Sequence, residues 1–266
     1  MPLFATLWPW IGLGAAGALL SLLAASDGLQ ADRRISRWFD LQWLLWLTVA
    51  AYLLHQFEEH GVSLFGAPYA FRGALCATLG YGDAVACPIP LAFITAVNVS
   101  AVWVAGFASA LVARRWPLVG LSFLSVPLVN AFVHIVPAVL ERRYNPGLAT
   151  AVVLFLPLCL WTLSVAVRRH GAGLRELALL VLAGVLVHAV LMGSLMAYLR
   201  GFLGVAPLVA IQILNAALPA AILIVGTRRT ARPTARPISN SAPSPNPAIP
   251  PRAPRRPRRA AESGRP

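Results

Sequence analysis

The sequence predicts an all-α, polytopic transmembrane helix bundle of about seven spans, followed by a disordered tail rich in arginine and proline. Three observations carry this expectation. The 266-residue chain is 58% hydrophobic and 12% charged, with a mean hydropathy of +0.72, far from the balance of soluble domains. Several apolar runs reach the ~20 residues that a helix needs to cross ~30 Å of hydrocarbon. After residue 226 the composition turns to Arg, Pro, Ser and Ala, which cannot bury enough apolar surface to fold. The net charge of +13 is no sign of nucleic-acid binding. All 22 basic residues are arginine, and ten of them follow residue 226.

Seven apolar segments are expected, at about 3–26, 41–60, 90–112, 117–139, 148–167, 175–198 and 205–226, with breaks at Gly, Pro and Arg clusters. The first resembles a secretory signal only faintly. Its first basic residue, Arg33, follows the run, whereas a signal carries its charge in front. It is therefore read as an uncleaved helix. Loop arginines set the orientation, since cytoplasmic loops carry the excess. Arg33, Arg34, Arg37, Arg114, Arg115, Arg168, Arg169 and Arg175 fall on one side, and Arg72, Arg142, Arg143 and Arg200 on the other. This places the N-terminus outside and the C-terminus in the cytoplasm of an integral membrane protein, with a bacterial plasma membrane as the expected site. Residues 1–226 form the bundle and 227–266 the cytoplasmic tail. That tail is either simply solvated or attached to anionic lipid headgroups, at ~1 kcal/mol per arginine near the surface. Membrane lipids are the expected partners.

The outer loop, 61–89, contains Cys76 and Cys87. They either form a disulfide, as an oxidising compartment allows, or remain two free thiols. Cys159, inside the fifth segment, is read as a small apolar filler.

The polar residues concentrate at the outer end of the second segment, in His55-Gln56-Phe57-Glu58-Glu59-His60. Ionisable groups at membrane depth mark a functional site by default. His55, Glu58 and Glu59 share one helical face, with Tyr52 and Gln56 extending it. His60 points about 100° away from Glu59 and is left out of the set. In the fourth segment Asn130 and His134 also share a face. At ~1.5 Å rise per residue, Glu59 lies ~27 Å and His134 ~26 Å from the inner ends of their helices. His55 and Asn130 lie at ~21 and ~20 Å. The two motifs should meet level for level. Tyr144-Asn145-Pro146-Gly147, on the same side, fits a tight turn, with Tyr144 or the turn's N–H groups closing the site. Asn98, His188, Gln212 and Asn215 are read as single interhelical hydrogen bonds or, together, as a polar layer. Arg72 and Tyr69 could cover it.

His55-x-x-Glu58-Glu59, Asn130-x-x-x-His134 and Tyr144-x-Pro146-Gly147, intact and in this order, resemble the three signature motifs of the HXXEE family, over roughly residues 41–226. Read from the residues themselves, Glu58, Glu59, His134 and Asn130 are the candidate catalytic set, with Tyr144, Pro146 and Gly147 in support; the resemblance implies a multi-pass membrane protein whose defining residues are those of the three motifs. It implies no reaction.

Read as chemistry, His55, His134 and one of Glu58 and Glu59 suit a divalent, zinc-like metal, because imidazole and carboxylate converge. The other glutamate would be a general base, and Asn130 would orient a ligand or polarise a carbonyl. The expected activity is a metal-dependent, hydrolase-like intramembrane enzyme acting on a lipid or lipid-linked substrate. A proton-coupled transporter that uses the same residues as a relay is the alternative, and a structural or assembly protein is the third. Membrane proteases of the prenyl-protein-processing type also pair glutamates with later His and Asn, but Ser63 stands where they carry arginine.

Overall fold

The structure, a computed structural model, describes residues 2–82 and 85–228. The described residues are helical, with a single isolated bridge between Val62 and Pro68. The tail beyond residue 228, with its expected disorder and headgroup contacts, lies outside the described residues.

Eight helices follow in order: α1 (Pro2–Ala25), α2 (Leu41–His60) and the short α3 (Ala70–Thr78), then α4 (Leu91–Val112), α5 (Pro117–Glu141), α6 (Leu148–His170), α7 (Leu174–Leu199) and α8 (Val205–Thr227). Six of them, α1 and α4 to α8, are long and apolar enough to cross a membrane. The exception among the expected seven is α2. Its twenty residues match the thickness of the bilayer core, but its composition falls short. The reason is its position: α2 packs against α1, α4, α5 and α6, and all of its residues but Leu47, Leu54 and Phe57 are buried. A helix that faces protein on every side need not be lipid-soluble, so it can carry polar groups at that depth.

Both ends of α2 are fixed by carboxylates. At the start, Asp40 caps the helix by accepting from the Trp43 amide at 2.9 Å. Its other oxygen accepts from the Ala31 and Asp32 amides, each at 2.9 Å, which folds the α1–α2 loop onto the helix. At the far end Glu58 plays the matching part, described below.

Two helices contain π-helical turns that composition does not reveal. They span Val99–Val104 in α4 and Ala151–Phe155 in α6. Each begins one residue after a polar side chain, Asn98 or Thr150, that contacts the histidines of α2. Such widened turns recur at functional sites.

The loop at 61–89 is stapled. Cys76 and Cys87 are disulfide-bonded, with Cα atoms 5.5 Å apart. Arg72 donates to the carbonyls of Ile89 and Cys87 at 2.8 and 2.6 Å, so it braces this loop and does not cover the polar site. Tyr69 donates to the Thr6 carbonyl at 3.3 Å and ties the loop to α1. Cys159 is a free, buried thiol, as a filler should be.

The disulfide gives a direct chemical expectation. Denatured, unreduced protein should take up thiol reagent at one cysteine, Cys159. After reduction it should take up reagent at all three, a change read by intact-protein mass. Three labels without reduction would show that Cys76 and Cys87 are thiols.

Candidate functional site

The last turn of α2 brings two adjacent carboxylates into the bundle, and their surroundings are opposite in character. Glu59 is the centre of the first. Its Oε1 lies 3.1 Å from His134 Nε2 on α5. Its Oε2 lies 3.4 Å from His55 Nε2 and 3.4 Å from His60 Nε2. All four side chains are buried. His55, Glu59 and His134 each offer a ligand atom within 4.8 Å of the other two, a group able to hold a metal ion. Glu59 thus meets His134, and His55 meets Asn130 at 2.9 Å, which are the pairs expected from helical depth.

The tautomers follow from the outer partners. His134 Nδ1 is 2.7 Å from Asn145 Oδ1. Asn145 is oriented by its own amide, which donates to the His134 carbonyl at 2.9 Å. The oxygen of Asn145 must therefore accept, and His134 carries its proton on Nδ1. His134 Nε2 is left with a lone pair, and it makes no hydrogen bond although buried. In the neutral ring its 3.1 Å approach to Glu59 is a contact of two electron-rich atoms, and in the doubly protonated ring it is an ion pair. His55 is set in the same way. Its Nδ1 is 2.8 Å from Thr150 Oγ1, and the single hydroxyl proton of Thr150 goes to Glu58 Oε2 at 2.5 Å. The hydroxyl accepts from His55 Nδ1–H, so the Nε2 lone pair of His55 also faces inward. An acceptor behind each imidazole, here the Asn145 carbonyl for His134 and the Thr150 hydroxyl backed by the Glu58 carboxylate for His55, is the arrangement that orients histidine ligands in metal sites.

Glu58 lives in the opposite environment. Oε1 accepts from the Tyr144 hydroxyl at 2.8 Å and the Ala149 amide at 3.1 Å. Oε2 accepts from the Thr150 amide at 2.8 Å and the Thr150 hydroxyl. Four donors fill the four acceptor positions of a carboxylate, and two of them are the free N–H groups at the start of α6, where negative charge is favoured. The expectation that Glu58 ligates a metal or takes a proton as a base meets a group with no lone pair to spare. Glu58 stands outside the three-residue cluster and acts on it through Thr150. Tyr144 also accepts from the Leu64 amide at 3.1 Å. Burial, and after it the neighbouring Glu58 carboxylate, push its phenol up to about 12 against the pull of the Leu64 amide, so Tyr144 stays a donor.

Gly147 explains the rest of its motif. Its φ is +96°, a conformation that side chains disfavour. A Cβ there would stand 2.7 Å from His134 Cε1, 2.8 Å from Glu59 Cγ and 2.8 Å from His55 Cε1. The turn's backbone therefore lies directly on all three ligand residues. Pro146, whose ring fixes its φ, precedes it.

His60 belongs to the surroundings of Glu59 after all. One residue along a helix separates the Cβ atoms by about 100°, but at the helix end two long side chains lean back towards each other. Its setting is a relay of fixed amides. Trp103 Nε1, which can only donate, gives its proton to Gln56 Oε1 at 3.0 Å. Gln56 Nε2 donates to Asn98 Oδ1 at 3.0 Å, and Asn98 Nδ2 faces His60 Nε2 at 3.2 Å. Asn98 is thus part of the layer. Gln212 and Asn215 bond elsewhere, to Ser194 Oγ and Val187 O at 2.7 and 3.0 Å, and His188 bonds to Gly184 O at 2.8 Å while lying close enough to His134 and Glu59 to interact with their charge. Sequence reasoning passed over Thr150 and Asn145. Asn145 sat in view, as the variable position of the turn motif. Thr150 carried a weaker signal, a hydroxyl three residues after the turn glycine.

Residues 46–162 match the family model described as a protein of unknown function with HXXEE motif. The match holds all three motifs and establishes the HXXEE resemblance over this stretch, from within α2 to within α6; α7 and α8 lie beyond it. No curated protein and no solved structure matches the chain.

The glycine geometry generates a sharp expectation. Gly147→Ala combines a positive-φ cost of roughly 1–2 kcal/mol with overpacking of roughly 1–3 kcal/mol. The variant should unfold several degrees below the parent in detergent, and more so than Gly66→Ala. Gly66 also has positive φ, but a Cβ there meets nothing within 4 Å. Equal losses would show that backbone strain alone matters and that the ligands are not in contact with the turn.

Proposed function

We propose that His55, Glu59 and His134 hold a divalent, zinc-like metal, and that the protein is a metal-dependent intramembrane enzyme of hydrolase type. The observation that carries this reading is the convergence of two imidazole lone pairs on one buried carboxylate. Both Nδ1 protons are committed outward, and His134 Nε2 has no hydrogen-bond donor. Such a group lacks a positive charge at its centre. Two His and one Glu are a recurrent ligand set of catalytic zinc, which keeps a further coordination position open.

A metal so placed would polarise a carbonyl or phosphoryl oxygen and promote attack by water. The chain's own residues supply the rest. Glu58, through Thr150, and Asn145 hold the two imidazoles in the ligating tautomer. Asn130, which gives up its bond to His55 Nε2 when that lone pair is used, becomes the polar group beside the reacting atom. His60, faced by Asn98 and next to Glu59, is the group placed to exchange a proton there, the part that Glu58 cannot play. A lipid or lipid-linked substrate is supported by the depth of the site and by Phe132, Val133 and Val136, exposed on the α5 segment that carries Asn130 and His134. The arginine distribution, with the disulfide in the loop assigned outside, supports an external N-terminus.

One observation favours a second reading. A proton between His134 Nε2 and Glu59 Oε1 would also relieve the close contact, and a proton-coupled transporter would use it.

Elemental analysis of purified protein decides between them. The metal reading expects about one metal per chain, lost in His55→Ala, Glu59→Gln and His134→Ala. In Glu58→Gln, where only a supporting group changes, it expects affinity to fall by roughly 10–100-fold. Metal-free protein that remains folded, with substrate-dependent proton flux in proteoliposomes abolished by Glu59→Gln, would establish the relay instead.

A further inference from the structure

A second feature lies away from this site, between α4, the start of α5, and α8. It is a groove of about 1060 Å³. Its origin is local. Helix α8 breaks between Asn215 and Leu218, because Pro219 has no N–H to offer the Asn215 carbonyl. At that break α8 contributes Ala216, Ala217 and Ala220 to the lining and α4 contributes Ala101, Ala105 and Ala108, flanked by larger residues such as Val104 and Ile213. Small residues on two membrane helices ordinarily let the backbones close on each other. Here they face an open volume, and unfilled space of this kind forfeits dispersion contacts on every side. The walls belong to helices long and apolar enough to cross a membrane, so in a bilayer the groove faces lipid chains.

One end of the groove is not apolar. Arg115 and Trp116 line it, with the guanidinium 5.1 Å from the indole ring centre. Tryptophan marks the membrane interface, and a guanidinium binds phosphate through paired donors. Both residues are exposed. Arg34, Arg37 and Arg143 pair with carboxylates, whereas Arg115 pairs with none among the described residues and has its charge available. Arg114, also exposed, adds a second positive charge at this end.

We propose that the groove is a binding site for one anionic phospholipid from the surrounding bilayer, with its acyl chains along the alanine walls and its phosphate on Arg115. This inference does not depend on the metal site. Basic pockets between membrane helices are a known means of holding acidic headgroups.

Native mass spectrometry of the full chain, exchanged from detergent containing either phosphatidylglycerol or phosphatidylcholine, tests it. The proposal expects one phosphatidylglycerol to be retained in preference to phosphatidylcholine. Arg115→Gln, a change at an exposed position, should weaken retention by roughly fivefold, the worth of one arginine at a headgroup, without moving the melting temperature. Ala108→Trp, which fills the groove, should abolish it. Equal retention of both lipids, or retention unchanged by Arg115→Gln, would overturn the proposal. So would a groove closed by a second copy of the chain, seen as Ala108→Cys crosslinked dimers.

Discussion

The four hydrogen bonds to Glu58 are the interaction on which the site depends. A carboxylate inside an apolar bundle costs several kcal/mol unless its oxygens are satisfied, and α2 itself has no donors to offer, because its own amides are bonded within the helix. The donors come from the turn that opens α6: the Tyr144 hydroxyl, two amides and the Thr150 hydroxyl. Satisfying Glu58 therefore docks the α5–α6 turn onto the end of α2 in one register. That register puts the Gly147 backbone on His55, Glu59 and His134, and it makes the Thr150 hydroxyl the acceptor for His55 Nδ1. With Asp40 doing the same at the other end, α2 is held between two carboxylates that its neighbours saturate.

Glu59, the next residue, shows why two adjacent glutamates are not redundant. The side chains leave the helix in different directions, and each meets a different chemistry. Glu58 is surrounded by donors and is fully occupied. Glu59 is surrounded by three ring nitrogens; those of His55 and His60 accept from the Asn130 and Asn98 amides, and that of His134 has no donor. Buried polar networks are stabilising when every member is satisfied and costly when one is not. The residues around Glu58 form a network of the first kind. Those around Glu59 do not, because His134 Nε2 has no donor, and an unsatisfied buried group in an otherwise well-bonded region is where function is to be sought.

The parts of this arrangement that were legible in the sequence are those governed by helical geometry. Rise per residue alone paired Glu59 with His134 and His55 with Asn130, because α2 and α5 run the same way through a slab of fixed thickness. Apolar runs located the helices for the same reason. What was not legible depends on how side chains reach beyond their Cβ direction. His60 was set aside on helical angle, yet its ring returns to Glu59. Glu58 and Glu59 were indistinguishable as letters, and only the donors brought by Ala149 and Thr150 separate them. Thr150 and Asn145 act through a single hydrogen bond each, which no spacing rule encodes. The π-turns after Asn98 and Thr150 leave no mark in composition. The apolar run at 41–60 located α2, but did not reveal that four neighbours bury it and relieve it of the need to be as apolar as the other long helices.

The lone pairs of His55 and His134 are aimed by bonds made on the far side of each ring, to Thr150 and to Asn145, and not by anything at the centre. Each of those partners is itself fixed, Thr150 by Glu58 and Asn145 by the His134 carbonyl. The site is therefore organised before a cation or proton arrives, and binding does not have to order these rings. That matters more in a membrane than in water. The side chains are buried, so a misdirected imidazole would face apolar neighbours, and each electron-rich contact is stronger in a medium of low dielectric. Preorganisation against this repulsion is maintained by the bonding at Glu58 and by the close backbone at Gly147. The turn motif thus belongs to the site as much as the histidines do: it supplies no ligand, and without it the ligands would be free to turn away from one another.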